Sequence, residues 1–224
     1  MTKLVTAILA RNEAAEDRYL RRVIERCRTF SDAVLLLDDR STDHTAKIAK
    51  LCGATVKGRS ILADPAWGAE APARAELWKW AAEEADDGWV LVCDADMLLE
   101  GDPRPLCESW AVNTWSWALY DCWDGEDRAR VDGAWAYGPV TARPWLFCPS
   151  RVPEGWTPQW HARQIHAGHA PTNWPIETGV TLDIWWRHLS YLQPQHRVTK
   201  HHQYMEVAAH MTPFERQHVE SIIA

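Results

Sequence analysis

The sequence has no hydrophobic run long enough to cross a membrane. Its longest apolar stretches, such as residues 33–37 and 89–93, are far shorter than the roughly 20 residues that a transmembrane helix needs. The apolar segment 4–10 follows a single lysine and gives way at once to Arg11, Asn12 and Glu13, which is not the pattern of a cleaved signal peptide. We therefore expect a cytoplasmic protein without a membrane span.

The sequence also lacks paired cysteines. None of its six cysteines forms a C-x-x-C pair or stands at the spacing of zinc ligands, and several fall at apolar positions of predicted helices and strands. Buried free thiols in a reducing cytoplasm are the expectation. A histidine zinc site built from His161, His166 and His169 stays open as an alternative, although no cysteine or carboxylate spacing supports it.

An excess of positive charge is absent as well. Lysine and arginine number 24 against 31 aspartates and glutamates, for a formal net charge of -7, so nucleic acid is not the default partner. The 224 residues suit one large domain, and a hydrophobic share of 46% is enough to form a core.

Tryptophan, in contrast, is abundant. The chain has 15 tryptophans, and most of them follow Asp102. Indole rings can stack on sugars or bases, so this half could bind a ligand. They could equally fill the core of an irregular region that is poor in leucine and isoleucine, and the sequence leaves both interpretations open.

Hydrophobic periodicity divides the chain into two halves. The first hundred residues alternate predicted strands (4–10, 33–37, 54–56 and 89–93) with predicted helices (13–30, 43–50 and 73–85). This alternation predicts an α/β fold with a Rossmann-like, mostly parallel sheet flanked by helices. Beyond residue 102 we expect a Trp-rich extension of short strands and loops, followed by helices over 198–210 and 213–223, the second capped by Thr212. The predicted boundary within this single domain separates residues 1–104 from 105–224.

Polar clusters follow three of the predicted strands. They are Arg11-Asn12-Glu13, the segment from Asp38 to Asp43, and Asp94-Ala95-Asp96. Ligands of open parallel sheets bind beyond the carboxyl ends of the strands, so the clusters converge on one cleft if strand four lies beside strand one. Each cluster taken alone could instead be a helix-capping or strand-end turn.

The Asp94-x-Asp96 pair carries the most chemistry. Carboxylates at positions i and i+2 of a strand can point the same way, and hard oxygen ligands suit Mg²⁺ or Mn²⁺ chelated by a diphosphate. The pair directly follows the apolar run 89–93, which strengthens an otherwise common motif.

Four motifs together resemble the nucleotide-sugar-binding half of a GT-A-fold glycosyltransferase of the family 2 type. They are "LVTAILARNE", "AVLLLDDRSTDHT", "APARAELWKWA" and "WVLVCDADMLLEGD", and they cover roughly residues 3–104. The resemblance implies that Arg74 approaches the diphosphate and that Asp94 and Asp96 form the metal motif. In this motif Asp96 would be the direct ligand, and Asp94 would reach the ribose or a bound water. It also implies nucleobase and ribose contacts from the two preceding strand ends, at Ala10, Arg11, Glu13, Asp38 and Asp39. Arg40 stands where the family often has glycine.

The segment "WWRHLSYLQPQHRVTKHHQYMEV" adds a looser match, to the late part of small non-processive members. The match implies that His188 completes the metal shell. Arg197 and Lys200 would then neutralise the departing nucleoside diphosphate. Each of the three could instead be a packed or solvated side chain.

The catalytic base is not recognisable from any motif. Glu177 and Asp183 are the predicted candidates, with Asp121 and Asp124 behind them, although turn or salt-bridge roles would also explain each. No Q-x-x-R-W motif is present, which disfavours a processive polysaccharide synthase.

The resemblance implies an enzyme that moves a hexose-type sugar from a nucleoside-diphosphate sugar, most simply a UDP-sugar, with Mn²⁺ or Mg²⁺. The acceptor hydroxyl could belong to a glycan, a small molecule or a modified nucleobase of DNA. A nucleotidyltransferase is one alternative, but it calls for a glycine-rich loop after strand one, where "ARNEAAED" has no glycine. A Trp-rich carbohydrate- or nucleic-acid-binding module is the other, and it leaves Asp94-x-Asp96 without a role.

Overall fold

A computed structural model describes residues 2–15, 18–59, 70–136, 141–160, 168–206 and 211–223. The strands in these ranges are β1 (Leu4–Ala10), β2 (Ala33–Asp38), β3 (Thr55–Gly58), β4 (Trp89–Asp94), β5 (Met97–Glu100), β6 (Thr114–Asp121), β7 (Arg143–Phe147) and β8 (Thr178–His188). The α-helices are α1 (Leu20–Cys27), α2 (Thr45–Leu51), α3 (Glu70–Ala85), α4 (Pro194–Met205) and α5 (Pro213–Glu220).

The described strands form one sheet in the order β3-β2-β1-β4-β7-β6-β8-β5. The first four strands in this order, β3, β2, β1 and β4, run parallel to one another. β1 and β4 are buried along nearly their whole length, which explains their continuous apolar sequences, since a parallel strand covered on both faces has no solvent side. The predicted α/β fold with a parallel sheet over the first hundred residues is therefore confirmed.

The helices of this half pack on the sheet as their periodicity predicts. α1 buries Leu20, Val23, Ile24 and Cys27, which recur at helical spacing. It begins at Leu20 rather than at residue 13, so the polar residues directly after β1 belong to a loop. α3 begins at Glu70, three residues before the predicted start.

Beyond β4 the sheet becomes mixed. β7 is antiparallel to both β4 and β6, whereas β8 runs parallel to β6 and antiparallel to β5. β8 is 11 residues long and not the short strand that we expect from the sequence. Its pairing with β6 shifts register between Ser116 and Ala118, and such an irregularity breaks the two-residue alternation that marks a strand.

Most described indoles are core side chains. The buried ones are Trp78, Trp80, Trp89, Trp117, Trp135, Trp145, Trp174 and Trp186. Trp78 of α3 packs edge-on against Trp174, with ring centroids 5.3 Å apart, and so joins the two halves of the chain. Trp110 is the clear contrast, with 85% of its surface exposed. For the buried indoles the core interpretation is correct and the ligand-platform interpretation is wrong.

All six cysteines are free and buried, as expected. Burial raises the pKa of Cys107 to about 12 and that of Cys122 to about 11. These thiols therefore stay protonated and pack as small apolar groups.

The C-terminal helices follow their predicted signals closely. Thr212 caps α5 in a capping box, because its hydroxyl accepts from the Glu215 N–H at 3.2 Å while the Glu215 carboxylate accepts from the Thr212 N–H at 2.8 Å. α4 begins at Pro194, four residues before the predicted start. Within the described ranges, no helix has the length and apolar character to cross a membrane.

Candidate active site

Three strand ends meet at one edge of the sheet. β1 lies between β2 and β4, with Ala10 paired to Asp38 and Leu9 paired to Asp94. The polar clusters that follow these strands are therefore neighbours, as the sequence predicts for a sheet in which strand four lies beside strand one.

Hydrogen bonds join the loop after β1 to the loop after β2. The Asn12 side-chain oxygen accepts from the Thr42 N–H at 2.8 Å, and the Glu13 N–H donates to the Thr45 hydroxyl at 2.7 Å. Asn12 and Arg40 have φ angles of 55° and 59°, the left-handed conformation that favours glycine. Arg40, which stands where the resemblance leads one to expect glycine, thus adopts the conformation that glycine favours.

The two carboxylates after β2 have different surroundings. Asp39 accepts from Arg59 at 2.9 Å and from Arg40 at 3.1 Å, so its charge is neutralised within the protein. Asp38 has a buried Oδ1 with no hydrogen-bond partner among the described residues. An unused buried acceptor is costly unless a ligand supplies a donor, so Asp38 is the better placed of the two to bind one.

Asp94 is held by two cationic or hydrogen-bonding side chains. Its Oδ1 accepts from Arg74 Nη2 at 2.5 Å, and its Oδ2 lies 3.0 Å from His169 Nε2. Arg74 is also bonded to Glu70, through Nε at 2.8 Å. Burial alone would raise the pKa of Asp94, but Arg74 and His169 outweigh it and hold that pKa well below its usual range.

Asp96 faces a second cluster, contributed by the other half of the chain. Its Oδ1 lies 3.5 Å from His188 Nε2, and its Oδ2 lies 3.5 Å from the ammonium group of Lys200, which also contacts the Ser190 hydroxyl. The other imidazole nitrogen, His188 Nδ1, lies 2.6 Å from Asp121 Oδ1. A carboxylate on one imidazole nitrogen fixes the ring and its tautomer, which leaves Nε2 directed at Asp96.

Charge and burial oppose each other in this cluster. Burial disfavours the ionised form of Asp96, but Lys200 and His188 outweigh it and lower the pKa of the carboxyl. Burial likewise disfavours the imidazolium of His188, yet Asp96 and Asp121 raise its pKa to about 9. Without a bound cation, His188 is therefore protonated at neutral pH.

Glu13 is the carboxyl group near the site whose ionised form is least stabilised by its surroundings. Burial raises its pKa to about 7, and repulsion from Asp96 adds to this effect. Arg18 lowers it only in part, since its Nε lies 3.8 Å from Glu13 Oε2, an atom with no hydrogen-bond partner in the described part of the chain.

The donor set fits a divalent cation at Asp96 and His188. Asp96 Oδ1 is buried, has no hydrogen-bond partner within the described ranges, and faces an imidazole nitrogen. Those ranges contain no group of three or more His, Cys, Asp or Glu side chains that could hold a metal unaided. Mg²⁺ and Mn²⁺ sites that act on phosphates commonly use one or two protein ligands and take the rest from the phosphate and water, so the pair suits such a site. Asp94, also predicted as a ligand, has both oxygens engaged by Arg74 and His169.

Arg197 lies apart from these clusters, whereas Ala10 and Arg11 stand at the end of β1, without a charged partner in the described part of these clusters. The Arg197 guanidinium bonds to Asp124 at 2.6 Å and lies over the ring of Trp123, 4.4 Å from its centroid, which gives it a local partner in place of a diphosphate. Ala10 is buried, and its backbone carbonyl accepts a hydrogen bond from the Asp39 N–H. It therefore contributes to this edge of the sheet through its backbone and not through its side chain. Arg11 is half-buried on the loop that follows.

The structure does not bring the predicted bases to the Asp96–His188 pair. Glu177 directly precedes β8, whereas His188 ends this 11-residue strand, so the two lie at opposite ends of it. Asp183 is exposed where the pairing of β8 with β6 is irregular. Strand direction is the physical reason, because β8 and β6 run parallel and only their carboxyl ends, His188 and Asp121, reach the cleft.

Sequence reasoning missed His169 as a partner of Asp94 and Arg59 as a partner of Asp39. No spacing signal marks either residue, because both partners are distant along the chain. His161 and His166, the other members of the zinc alternative, lie outside the described residues.

No protein-family model matches the chain. Two curated relatives, uncharacterized proteins of Mycobacterium bovis and Mycobacterium tuberculosis, are each 35% identical over 88 residues. That match covers 38% of this chain and 22% of each relative, so the chain spans about a fifth of the length of the relatives that it matches.

Solved structures similar to the chain include two kinds of synthase. Glucosyl-3-phosphoglycerate synthase from Mycobacterium tuberculosis, in complex with Mg²⁺ and UDP, is 20% identical with a TM-score of 0.38, over 53% of this chain and 44% of that one. A complex of the same enzyme with Mn²⁺, UDP-glucose and phosphoglyceric acid gives 18% identity and a TM-score of 0.46, over 74% and 62%. Mannosyl-3-phosphoglycerate synthase from Rubrobacter xylanophilus is 19% identical with a TM-score of 0.38, over 54% and 41%. Each of these similarities covers only part of the chain.

Proposed function

We propose that this chain is a metal-dependent glycosyltransferase that moves a sugar from a nucleoside-diphosphate sugar to a hydroxyl acceptor. The observation that carries the proposal is the buried Asp96 Oδ1, which has no hydrogen-bond partner among the described residues and lies 3.5 Å from His188 Nε2. Lys200 supplies a positive charge 3.5 Å from the other oxygen. Together these groups suit a cation that is shared with a diphosphate.

The nucleoside end of the donor would lie over β1 and β2. Asp38 offers an unused buried oxygen there, which would accept a hydrogen bond from the base or the ribose. Glu13 and Arg11 follow β1 on the neighbouring loop. The nearby Asp39 would act indirectly, because Arg59 and Arg40 already occupy it.

The diphosphate would bind at the Asp96–His188 pair. A divalent cation held by these two residues would supply Lewis-acid stabilisation of the leaving diphosphate. Lys200 would add a fixed positive charge, and Asp121 would keep the His188 ring in its orientation through the 2.6 Å contact to Nδ1.

A carboxylate would deprotonate the acceptor hydroxyl. Glu13 is the candidate that the site favours, because it interacts with Asp96 and its pKa of about 7 leaves it partly ionised at neutral pH. Glu177 and Asp183, the bases predicted from the sequence, lie away from the Asp96–His188 pair. Comparing the turnover of Glu13→Gln, Glu177→Gln and Asp183→Asn, each with its affinity for nucleotide, distinguishes a base from a residue that only binds the donor.

The acceptor belongs to one of three classes, namely a glycan, a small molecule or a modified nucleobase. The net charge of -7 does not favour a DNA acceptor. We expect the enzyme to act in the cytoplasm.

A screen of nucleotides and nucleotide sugars tests the proposal. UDP, GDP and dTDP are added with Mn²⁺ or with EDTA while the melting temperature is recorded, and the corresponding sugars are assayed for hydrolysis. UDP-glucose, present in a complex of the similar mycobacterial synthase, is the first donor to use. We expect Mn²⁺-dependent stabilisation by at least one diphosphate and slow hydrolysis of its sugar. No stabilisation and no hydrolysis with any of them would contradict the proposal.

A further inference from the structure

His169 connects the second half of the chain to the first carboxylate of the Asp94-x-Asp96 motif. Its Nε2 lies 3.0 Å from Asp94 Oδ2, while Arg74 donates to the other oxygen at 2.5 Å. Each oxygen of the carboxylate therefore has its own partner, and the two partners belong to different halves of the chain. A carboxylate bonded at both oxygens is fixed in rotation, whereas one bonded at a single oxygen can turn about its terminal torsion.

The imidazole is itself held in place. Its ring packs edge-on against Trp145 of β7, with centroids 4.9 Å apart, and the Trp145 indole N–H donates to the Trp117 carbonyl at 3.0 Å. Trp145 and Trp117 are buried. His169 is thus supported by the rigid indole core of the second half.

Sheet order locates this contact relative to the rest of the cleft. β4 has β1 on one side and β7 on the other, so Asp38 at the end of β2 and the Trp145–His169 pair lie on opposite sides of Asp94. If the nucleoside lies over β2 and β1, and the diphosphate lies at Asp96, the remaining end of the donor faces the Arg74–Asp94–His169 group. That end is the sugar to be transferred.

We propose that His169 is a positioning residue, which holds the Asp94 carboxylate so that Arg74 and Asp94 present fixed hydrogen-bonding groups to the transferred sugar. The proposal rests on the proposed function. It places Arg74 and Asp94 at the transferred sugar, in place of the diphosphate and of the ribose or bound water that the resemblance implies for them. The proposal therefore assigns His169 an effect on the donor sugar and none on the nucleotide that leaves.

Two substitutions of His169 separate positioning from packing. His169→Phe keeps a ring against Trp145 but removes the nitrogen that meets Asp94. His169→Gln places an amide N–H donor near the position of Nε2. We expect His169→Phe to lower the turnover of donor hydrolysis by tenfold or more and to leave the Kd for UDP with Mn²⁺ within twofold of wild type. His169→Gln should recover most of the lost turnover.

Turnover should fall while UDP affinity stays unchanged, because UDP lacks the transferred sugar that Asp94 would contact under this proposal. Unchanged turnover in His169→Phe, an equal loss of UDP affinity, or a Gln variant as impaired as the Phe variant would overturn the positioning role. A wild-type chain that binds no UDP with Mn²⁺ would overturn the proposed function and this inference together. A wild-type chain that binds and hydrolyses the donor, beside an unchanged Phe variant, would overturn this inference alone.

A double-mutant cycle supplies a readout without metal or nucleotide. The unfolding of wild type, His169→Phe, Asp94→Ala and the double variant is measured in urea with EDTA. If the two side chains interact as the 3.0 Å contact indicates, the effects on the unfolding equilibrium constant are not multiplicative and differ by at least about threefold. Multiplicative effects would overturn the contact and, with it, the positioning role.

Discussion

The two halves of the chain share one sheet, and both contribute polar and charged side chains to the cleft. The first half supplies the carboxylates of Asp38, Asp94 and Asp96 at the ends of parallel strands. The second half supplies the groups that face them, His169 on Asp94 and both His188 and Lys200 on Asp96. The site therefore belongs to the junction of the halves, because Asp96 of the first half has both of its charged partners, His188 and Lys200, in the second half.

The halves also differ in the side chains that build their cores. β1 and β2 are buried through leucine, valine, isoleucine and alanine, whereas β6, β7 and β8 contribute Trp117, Trp145 and Trp186 to the same continuous cluster. A large indole ring fills the space where an irregular, mixed sheet offers no regular row of aliphatic positions. The second half therefore depends on a few large side chains, each of which contributes much to stability.

The largest expected effect tests this dependence. Trp186 is fully buried, so Trp186→Ala should lower the free energy of unfolding by about 3–5 kcal/mol. Trp110→Ala is the matched control. Because this indole is 85% exposed, its loss should change the free energy of unfolding by less than about 0.5 kcal/mol. Urea unfolding followed by fluorescence and by circular dichroism gives both values. Equal effects of the two substitutions would contradict the indole-core account.

The next largest effect concerns Asp121, which orients the imidazole ring of His188. Asp121→Asn weakens the 2.6 Å contact to His188 Nδ1, and loss of such a partner typically costs about 10–100-fold in metal affinity. Titration of Mn²⁺ in the presence of UDP measures it. Asp183→Asn changes an exposed carboxylate of β8, the strand that ends at His188. It serves as the control and should leave the Mn²⁺ affinity unchanged. An Asp121→Asn variant with wild-type affinity would mean that Asp121 does not orient the ligand.

A smaller effect distinguishes the neighbouring carboxylates of the first half. Asp38→Ala removes the acceptor that has no hydrogen-bond partner within the described ranges, and should raise the donor KM by about tenfold, since a hydrogen bond of this kind is worth about 1–3 kcal/mol. Asp39→Asn should raise it less, because Arg59 and Arg40 already occupy that carboxylate. Steady-state hydrolysis of the donor compares the two. A larger increase in KM for Asp39→Asn than for Asp38→Ala would place the nucleoside against Asp39.

The smallest effect lies at the amino end of β1, away from the cleft. A hydrogen bond from Arg104 lowers the pKa of Asp32, and the Leu4 N–H adds to the effect. A lowered folded-state pKa means that the pair stabilises the fold above the unfolded pKa of about 4, and that the contribution is lost as the pH falls through the folded value.

Asp32→Asn should therefore lower the free energy of unfolding by about 0.5–1 kcal/mol at neutral pH, a modest amount because the Asp32 side chain is 46% exposed. The difference from wild type should shrink as the pH falls below about 4. Urea unfolding at a series of pH values checks this, and a difference that grows on acidification would contradict the assigned sign.

The two halves differ as much in how far the sequence predicts them. Short continuous apolar runs predict β1, β2 and β4 almost to the residue, and the polar residues after them predict the convergence of the three clusters. The register shift beside Ala118 and the mixed strand directions hide β8, because neither leaves a local period in the sequence. Strand pairing across distant segments sets those features.

The same reason explains which site residues were predictable. Asp38, Asp94, Asp96 and Arg74 stand in motifs at fixed positions after strands or on a helix. His169 meets Asp94 across 75 positions of sequence, and only the tertiary fold brings them together. Glu177 is a polar residue near a predicted turn, and the direction of β8 puts it at the end of that strand opposite to His188.

The central claim is that Asp96 and His188 bind a divalent cation together with a nucleoside diphosphate at the junction of the halves. Isothermal titration of UDP into wild type and Asp96→Asn, each with Mn²⁺ and with EDTA, tests it most directly, and circular dichroism verifies that the variant is folded. The account predicts binding by wild type that requires Mn²⁺ and is weakened at least about a hundredfold in Asp96→Asn, as expected for loss of a charged metal ligand. UDP binding of equal strength in EDTA, or in the folded Asp96→Asn variant, would contradict it.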